Sequence, residues 1–413
     1  MSDFNKIEQI IADSKEVTAE PWQRQLVDSV MKAATVHAHS KSKPIGECFA
    51  AAFDLIVASH YYGSVTNKGW LYCGPKVPVL VYPYTNTCPR CAIKDVFHFH
   101  KANKPPSGNI GSVTSMYLCL CYEWFFKHSD YPDFEIRVGK EPVDVLILDR
   151  SKKICLLAEI KASPLVIFPL VMNSERLSES SEKGVVEMRS HEEVTVAQLI
   201  GVDLFMMLPN TGSAHTMLKL GRRDNDKHSH WAANAISSIS GEPAFFDAFY
   251  NAWVDAFGKY SGKIDRIGSY WLTNSCGAPS PKPSSWPRRS SGGGFETISD
   301  NKTSVGMDRT DDIKKGTYQV LKMGSVSKFP RQSEWRVTVG LVSNIHAVQH
   351  FGEYLESIAD VMWTKTQKCD VTTIKDLPVN TEITNLFDGV IAFTSSTIRD
   401  PWLKKIFTFE NAK

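Results

Sequence analysis

Two carboxylates and a lysine are the residues of this chain whose types and spacing could do chemistry. Residues 142–161 read PVDVLILDRSKKICLLAEIK, two apolar runs around a charged turn at residues 149–153. A turn centred between Ser151 and Lys152 sets Asp149 opposite Ile154 and Asp144 opposite Glu159. Partners across an antiparallel pair share a face, and so do residues two apart on one strand. Asp144, Glu159 and Lys161 therefore converge at the open end of a hairpin. Charges in an apolar sheet are costly unless something compensates them, and charged residues are seldom fully buried unless paired. A divalent cation such as Mg²⁺ compensates a carboxylate pair. That pair beside a lysine suits metal-assisted hydrolysis of a phosphodiester.

Cysteines form the second group. Cys88-Pro-Arg-Cys91 has the two-residue gap that lets both thiolates reach one Zn²⁺. Further ligands come from Cys119 and Cys121, or from His98 and His100, which share one face of an extended stretch. On a helix each residue turns by ~100°, so a helical 119–121 segment offers one of its two thiols at most. The alternative for all of them is the buried, unligated state common for cysteine in apolar runs. The count of nine cysteines is odd and no secretion signal precedes them. That combination points to a reducing compartment, where close pairs suggest metal more than disulfides.

The elements that must position these groups follow from periodicity. Ile7, Ile10 and Ile11 recur at helical spacing, a second helix starts near Thr18 with Pro21 in its first turn, and residues 47–61 read as a buried third. Residues 77–81 and 134–138 read as strands, 112–127 as a buried aromatic helix, 194–208 as a helix on the sheet, and 215–220 as a strand. Residues 232–260 are helical, with an aromatic stripe that belongs to a core. The Pro/Ser/Gly-rich segment 277–294 reads as a linker. Strands near 318–321 and 335–342 and a helix over 345–363, capped by Asn344, close the chain.

At 413 residues the chain is long enough for two or three domains, and 42% hydrophobic with 22% charged residues is a globular composition. A net charge of +2 does not mark a nucleic-acid binder by itself, yet it is compatible with a basic cleft. No signal peptide is expected from the polar start, and the apolar run 164–172 is too short and too broken by Pro169 to span a membrane. No GxxxxGK[ST] motif calls for a nucleotide cofactor. The basic clusters are Arg222 with Arg223, and Lys282, Arg288 and Arg289 around Trp286, where arginines could meet phosphates or guanine edges.

An Asp followed at a distance by Glu-x-Lys, both on apolar strands, resembles the PD-(D/E)xK nuclease superfamily; the matching pieces are Pro142-Val143-Asp144 and Glu159-Ile160-Lys161. Here the proline stands two residues before Asp144 instead of directly before it. The resemblance covers residues 112–220 and includes a helix before the hairpin and a helix after it. It implies a mixed α/β (α+β) fold, with a restriction-endonuclease-like core whose central mixed β-sheet is flanked by helices. The organisation expected is a helical region over 1–75, a catalytic core over 76–275 with a zinc-binding insert at 88–121, a linker or DNA-contacting loop over 276–314, and an α+β unit over 315–413. It also implies that Asp144, Glu159 and the carbonyl of Ile160 hold Mg²⁺ while Lys161 orients or activates a water. Glu123 and Gln198 would be accessory groups. The function expected is that of a type II restriction endonuclease of the bacterial cytoplasm, a homodimer cutting double-stranded DNA. The alternatives are a repair or mobile-element nuclease of the same superfamily, and a zinc-containing DNA-binding protein without catalysis.

Overall fold

The computed structural model describes residues 6–74, 79–92, 94, 96, 98–174, 189–196, 199–209, 215–223, 230–262, 284, 305–328, 334–364 and 372–409. The chain is of the mixed α/β class and divides into two compact units, each assembled from distant stretches.

The first unit comprises residues 1–18, 118–162 and 306–413. Its seven-stranded sheet runs in the order Lys15–Glu16, Glu135–Val138, Val145–Asp149, Ile154–Ile160, Arg336–Ser343, Gly389–Ala392 and Thr397–Ile398. Pairing is antiparallel as far as Ile154–Ile160, then parallel to Arg336–Ser343 and on to Gly389–Ala392. The hairpin forms where the apolar alternation and charged turn place it, with Asp149 opposite Ile154 and Val145 opposite Ala158. Asp149 builds the turn by accepting from Ser151 Oγ at 2.7 Å and the Lys152 backbone N–H at 3.0 Å, and Lys153 takes a φ of +53°. Every residue of Ile154–Ile160 is buried. One face of this sheet packs on the helix Thr310–Ser327, through Leu146, Leu148, Cys155 and Leu157 against Ile313, Val320 and Met323. Each such side chain contributes about 1.5–3 kcal/mol by leaving water.

The second unit comprises residues 19–117 and 163–305. Helices Pro21–Lys41, Ile45–Gly63, Trp231–Ile239 and Pro243–Ser261 pack together, with Pro21 in the first turn where its missing N–H costs nothing. Its six-stranded sheet is antiparallel throughout, in the order His215–Arg222, Asp203–Pro209, Leu170–Asn173, Val79–Tyr82, Trp70–Cys73 and Glu193–Val194. Asp54, fully buried, accepts from the backbone N–H groups of Leu165 and Val166 at 2.8 and 3.0 Å and from Trp253 Nε1 at 2.8 Å. Burial holds its carboxyl well above the usual carboxylate range, against the pull of those donors.

Several expectations need correction. Residues 315–413 are not a separate unit, because Arg336–Ser343 and Gly389–Ala392 extend the hairpin's own sheet in parallel. Nor is 76–275 one body, since residues 163–275 fall in the unit that also holds most of the N-terminal helices. Residues 194–208 do not form a helix. Gly201 takes a φ of +77°, and Asp203–Pro209 pairs with His215–Arg222. A short apolar run alone does not separate a buried strand from a buried helix. The helix packed on the hairpin's sheet is Thr310–Ser327, which absorbs the strand expected at 318–321; small residues on its inner face (Gly316, Thr317, Gly324) hide its periodicity. The segment 345–363 forms two short helices, Phe351–Tyr354 and Glu356–Ala359, and a two-residue strand in place of one long helix. The linker 277–294 lies outside the described residues apart from position 284.

Candidate functional sites

Asp144, Glu159 and Lys161 meet at one corner of the first unit's sheet. The hairpin ladder continues past Val145 and Ala158: the Asp144 backbone N–H donates to Ala158 O at 3.1 Å, and the Gly139 N–H donates to Asp144 O at 2.9 Å. The Asp144 side chain is fixed as well, since the Ile160 backbone N–H donates to its Oδ2 at 2.9 Å. On the other edge Glu159 is opposite Leu341 in the parallel ladder, and the Lys161 N–H donates to Val342 O at 3.0 Å. Ser343 Oγ donates to Lys161 O at 2.7 Å. Asp144 and Glu159 thus sit on backbone held from both sides, and Lys161 on backbone held from the side of Arg336–Ser343.

Their environments differ. Asp144 is exposed, whereas Glu159 retains 7% of its accessible surface. Lys161 Nζ donates to Glu159 Oε1. Burial pushes the Glu159 carboxyl up to about 7; Lys161 pulls it back, and the Asp144 charge adds to the push. One lysine therefore leaves part of the negative charge of two carboxylates uncompensated. Gly316, on the covering helix, makes room for the lysine stem. A Cβ there would lie 2.9 Å from Leu341 Cδ2 and 3.5 and 3.6 Å from Lys161 Cγ and Cε.

The helix Ser107–Lys127 carries Glu123, half-buried, one turn after Cys119. The Cys119 thiol is pushed up to about 12 by burial first, then by the charges of Asp144 and Glu123. Both acids are thus within electrostatic reach of one sulfur. Gln198 lies outside the described residues.

In the second unit, Cys73, Cys88, Cys91 and His191 present ligand atoms that all lie within 4.8 Å of one another. Four such groups can hold a metal ion such as zinc. Cys73 ends the strand Trp70–Cys73, and Cys91 lies in the short helix Pro89–Ala92 directly after Cys88. His191, at a φ of +69°, donates its backbone N–H to Tyr72 O. Cys88 and Cys91 are the expected ligands. Cys119 and Cys121 are not: both are buried in the part of the helix Ser107–Lys127 that belongs to the first unit. His98 stacks on the His191 ring, centroids 3.6 Å apart, and His100 Nδ1 lies 2.6 Å from Lys101 O; neither joins the ligand group. Sequence reasoning missed Cys73 and His191. Cys73 ends the strand before the Cys-Pro-Arg-Cys turn and was within reach of pattern reading, but nothing local marks His191, 100 residues beyond Cys91.

Of the basic residues, Arg222 is paired with Asp203 at 3.1 Å and Arg223 stands over the Trp231 ring at 6.0 Å. Lys282, Arg288 and Arg289 lie outside the described residues. Among the described residues no helix is long and apolar enough to cross a membrane. No family model matches the chain, and neither a curated protein nor a solved structure matches it.

Proposed function

We propose that the protein is a Mg²⁺-dependent endonuclease acting on double-stranded DNA, with Asp144, Glu159 and Lys161 as its catalytic residues. The observation that carries this reading is the buried Glu159 carboxylate beside Asp144, only partly offset by Lys161. Such a corner fits a hard divalent cation, which takes oxygen ligands and relieves the crowding of like charge. The helix Ser107–Lys127 precedes the hairpin as the resemblance expects, whereas the helix packed on the hairpin's sheet, Thr310–Ser327, follows only after residues 163–305 of the second unit.

Asp144, Glu159 and the carbonyl of Ile160 would hold Mg²⁺, which supplies polarisation of a phosphate and a lowered pKa for its bound water. The chain's own groups do the rest. Ile160 N–H holds the Asp144 carboxylate in place through Oδ2. Lys161, steered by Glu159 and by the gap at Gly316, places an ammonium where negative charge develops on the phosphate. A water beside Lys161 is oriented for attack. Glu123 is an accessory acid in this reading.

The specific activity proposed is that of a type II restriction endonuclease, a homodimer of the bacterial cytoplasm, since two strands of a palindrome call for two sites related by a two-fold axis. The test is digestion of several unmethylated phage and plasmid DNAs with Mg²⁺. Discrete fragments support a sequence-specific enzyme, and a smear or structure-dependent cuts point to a repair or mobile-element nuclease. DNA retention without any cleavage removes the catalytic reading and leaves a zinc-containing DNA-binding protein.

A further inference from the structure

We propose that Cys73, Cys88, Cys91 and His191 bind one Zn²⁺ in a closed, structural site that fastens the edge of the second unit's sheet. Four protein ligands fill a tetrahedral shell and leave no position for substrate, which separates a structural zinc from a catalytic one. The spacing fits: Zn–S bonds of about 2.3 Å at a tetrahedral angle set sulfurs about 3.7 Å apart, and Cys73 Sγ lies 3.7 Å from Cys91 Sγ. His191 enters through Nε2, 3.1 Å from Cys91 Sγ. Its other nitrogen, Nδ1, lies 3.1 Å from Ser190 Oγ, the kind of outer contact that fixes the tautomer and aim of a ligating imidazole. His98 stacks flat on the same ring, 8° from parallel, and holds it from the side.

Charge and connectivity agree with the assignment. Three thiolates and one Zn²⁺ leave a net negative charge, and Arg90, between two of the ligands in sequence, is anchored beside it by donating from Nη1 to Cys73 O at 2.6 Å. The ligands come from three segments of the chain: the strand Trp70–Cys73, the Cys-Pro-Arg-Cys turn and the stretch that leads into Glu193–Val194. Glu193–Val194 is an edge strand of two residues paired to Trp70 and Leu71, and the chain reaches it through the His191–Tyr72 and Tyr72–Glu192 backbone bonds. A metal bond to His191 ties that edge to the Cys-Pro-Arg-Cys turn. The hydrogen-bonded ladder alone does not do so.

The experiment is metal analysis of the full chain purified without chelator, followed by Co²⁺ exchange and optical spectroscopy. The expected result is about one zinc per chain, with thiolate charge-transfer and tetrahedral d–d bands in the Co²⁺ form. Cys73→Ser and His191→Ala should lose the metal, whereas Cys119→Ser and Cys121→Ser should keep it. Because loss of a structural metal can unfold the first two variants, His191→Cys is the informative one: it should retain the metal with a shifted d–d band, as a fourth thiolate replaces an imidazole. A metal-free wild type, a Cys73–Cys91 disulfide in its non-reducing peptide map, or zinc lost from Cys119→Ser and kept in Cys73→Ser would overturn the assignment. None of these results depends on DNA cleavage.

Discussion

Replacing Glu159 by glutamine should make the metal-free protein more stable at alkaline pH while abolishing the proposed DNA cleavage. The Glu159 carboxyl is held at about 7 in the fold against an ordinary value of 4.5, chiefly by burial. Each tenfold change in proton affinity is worth about 1.4 kcal/mol, so ionising Glu159 in the fold costs about 3 kcal/mol more than ionising it in the unfolded chain. Between these two values the folded state binds the proton that the unfolded state has lost, so stability falls as pH rises through that window. Below about 4.5 the penalty is absent, and above about 7 it is complete. Glutamine has nearly the same shape, offers Lys161 an acceptor oxygen and never ionises. Urea denaturation with EDTA, read at pH 5 and at pH 8, should give an advantage to Glu159→Gln of under about 1 kcal/mol at pH 5 and of up to about 3 kcal/mol at pH 8. Mg²⁺ at ten times its dissociation constant should return about 1.4 kcal/mol to the wild type, and less to the variant. An advantage that is absent at pH 8, or equal at both pH values, would refute the reasoning.

Other consequences are as specific. Gly316→Val should crowd Leu341 and the Lys161 stem, costing about 1–3 kcal/mol and slowing cleavage by up to ~100-fold through displacement of the lysine; thermal melts and rate constants on the same preparations check both. Lys328 Nζ donates to both oxygens of Asp388, at 2.9 and 2.8 Å, in a pair that is almost wholly buried. Lys328→Met should therefore cost about 3–5 kcal/mol by denaturation near pH 8. Burial already holds Asp388 above its usual range, so this deficit should shrink as pH falls. Asp54→Asn should cost less than Asp54→Ala, because an amide oxygen can still accept from the Leu165, Val166 and Trp253 donors, and Asp54→Ala should cost about 1–3 kcal/mol by leaving them unpaired.

Local signals in the sequence carry the site and mislead about what surrounds it. The hairpin was legible because apolar alternation, a charged turn and strand geometry all agree on one register, and that register brings Asp144 to Glu159. The long helices were legible because their buried faces are apolar at helical spacing. The parallel neighbour of the hairpin was read as a strand, yet its partner was not, because pairing between Ile154–Ile160 and Arg336–Ser343 spans residues 163–305 of the second unit and leaves no local mark. Thr310–Ser327 shows the opposite failure. Its inner face uses glycine where Lys161 and the Leu386 backbone come close, so the residues that make the site fit are those that erase the helical pattern. The candidate metal ligands divide in the same way: Cys88 and Cys91 announce themselves by spacing, and His191 belongs to the set through tertiary structure alone.

The most direct test of the central claim is a side-by-side digestion of supercoiled plasmid with Mg²⁺ by wild type, Asp144→Asn, Glu159→Gln and Lys161→Ala, each first shown to be folded by its melting transition. The account predicts cleavage by the wild type, dependent on Mg²⁺ and stopped by EDTA, with a loss of at least ~100-fold in every variant. Wild-type rates in all three variants would contradict the site, and a folded wild type that leaves every DNA intact would contradict the function.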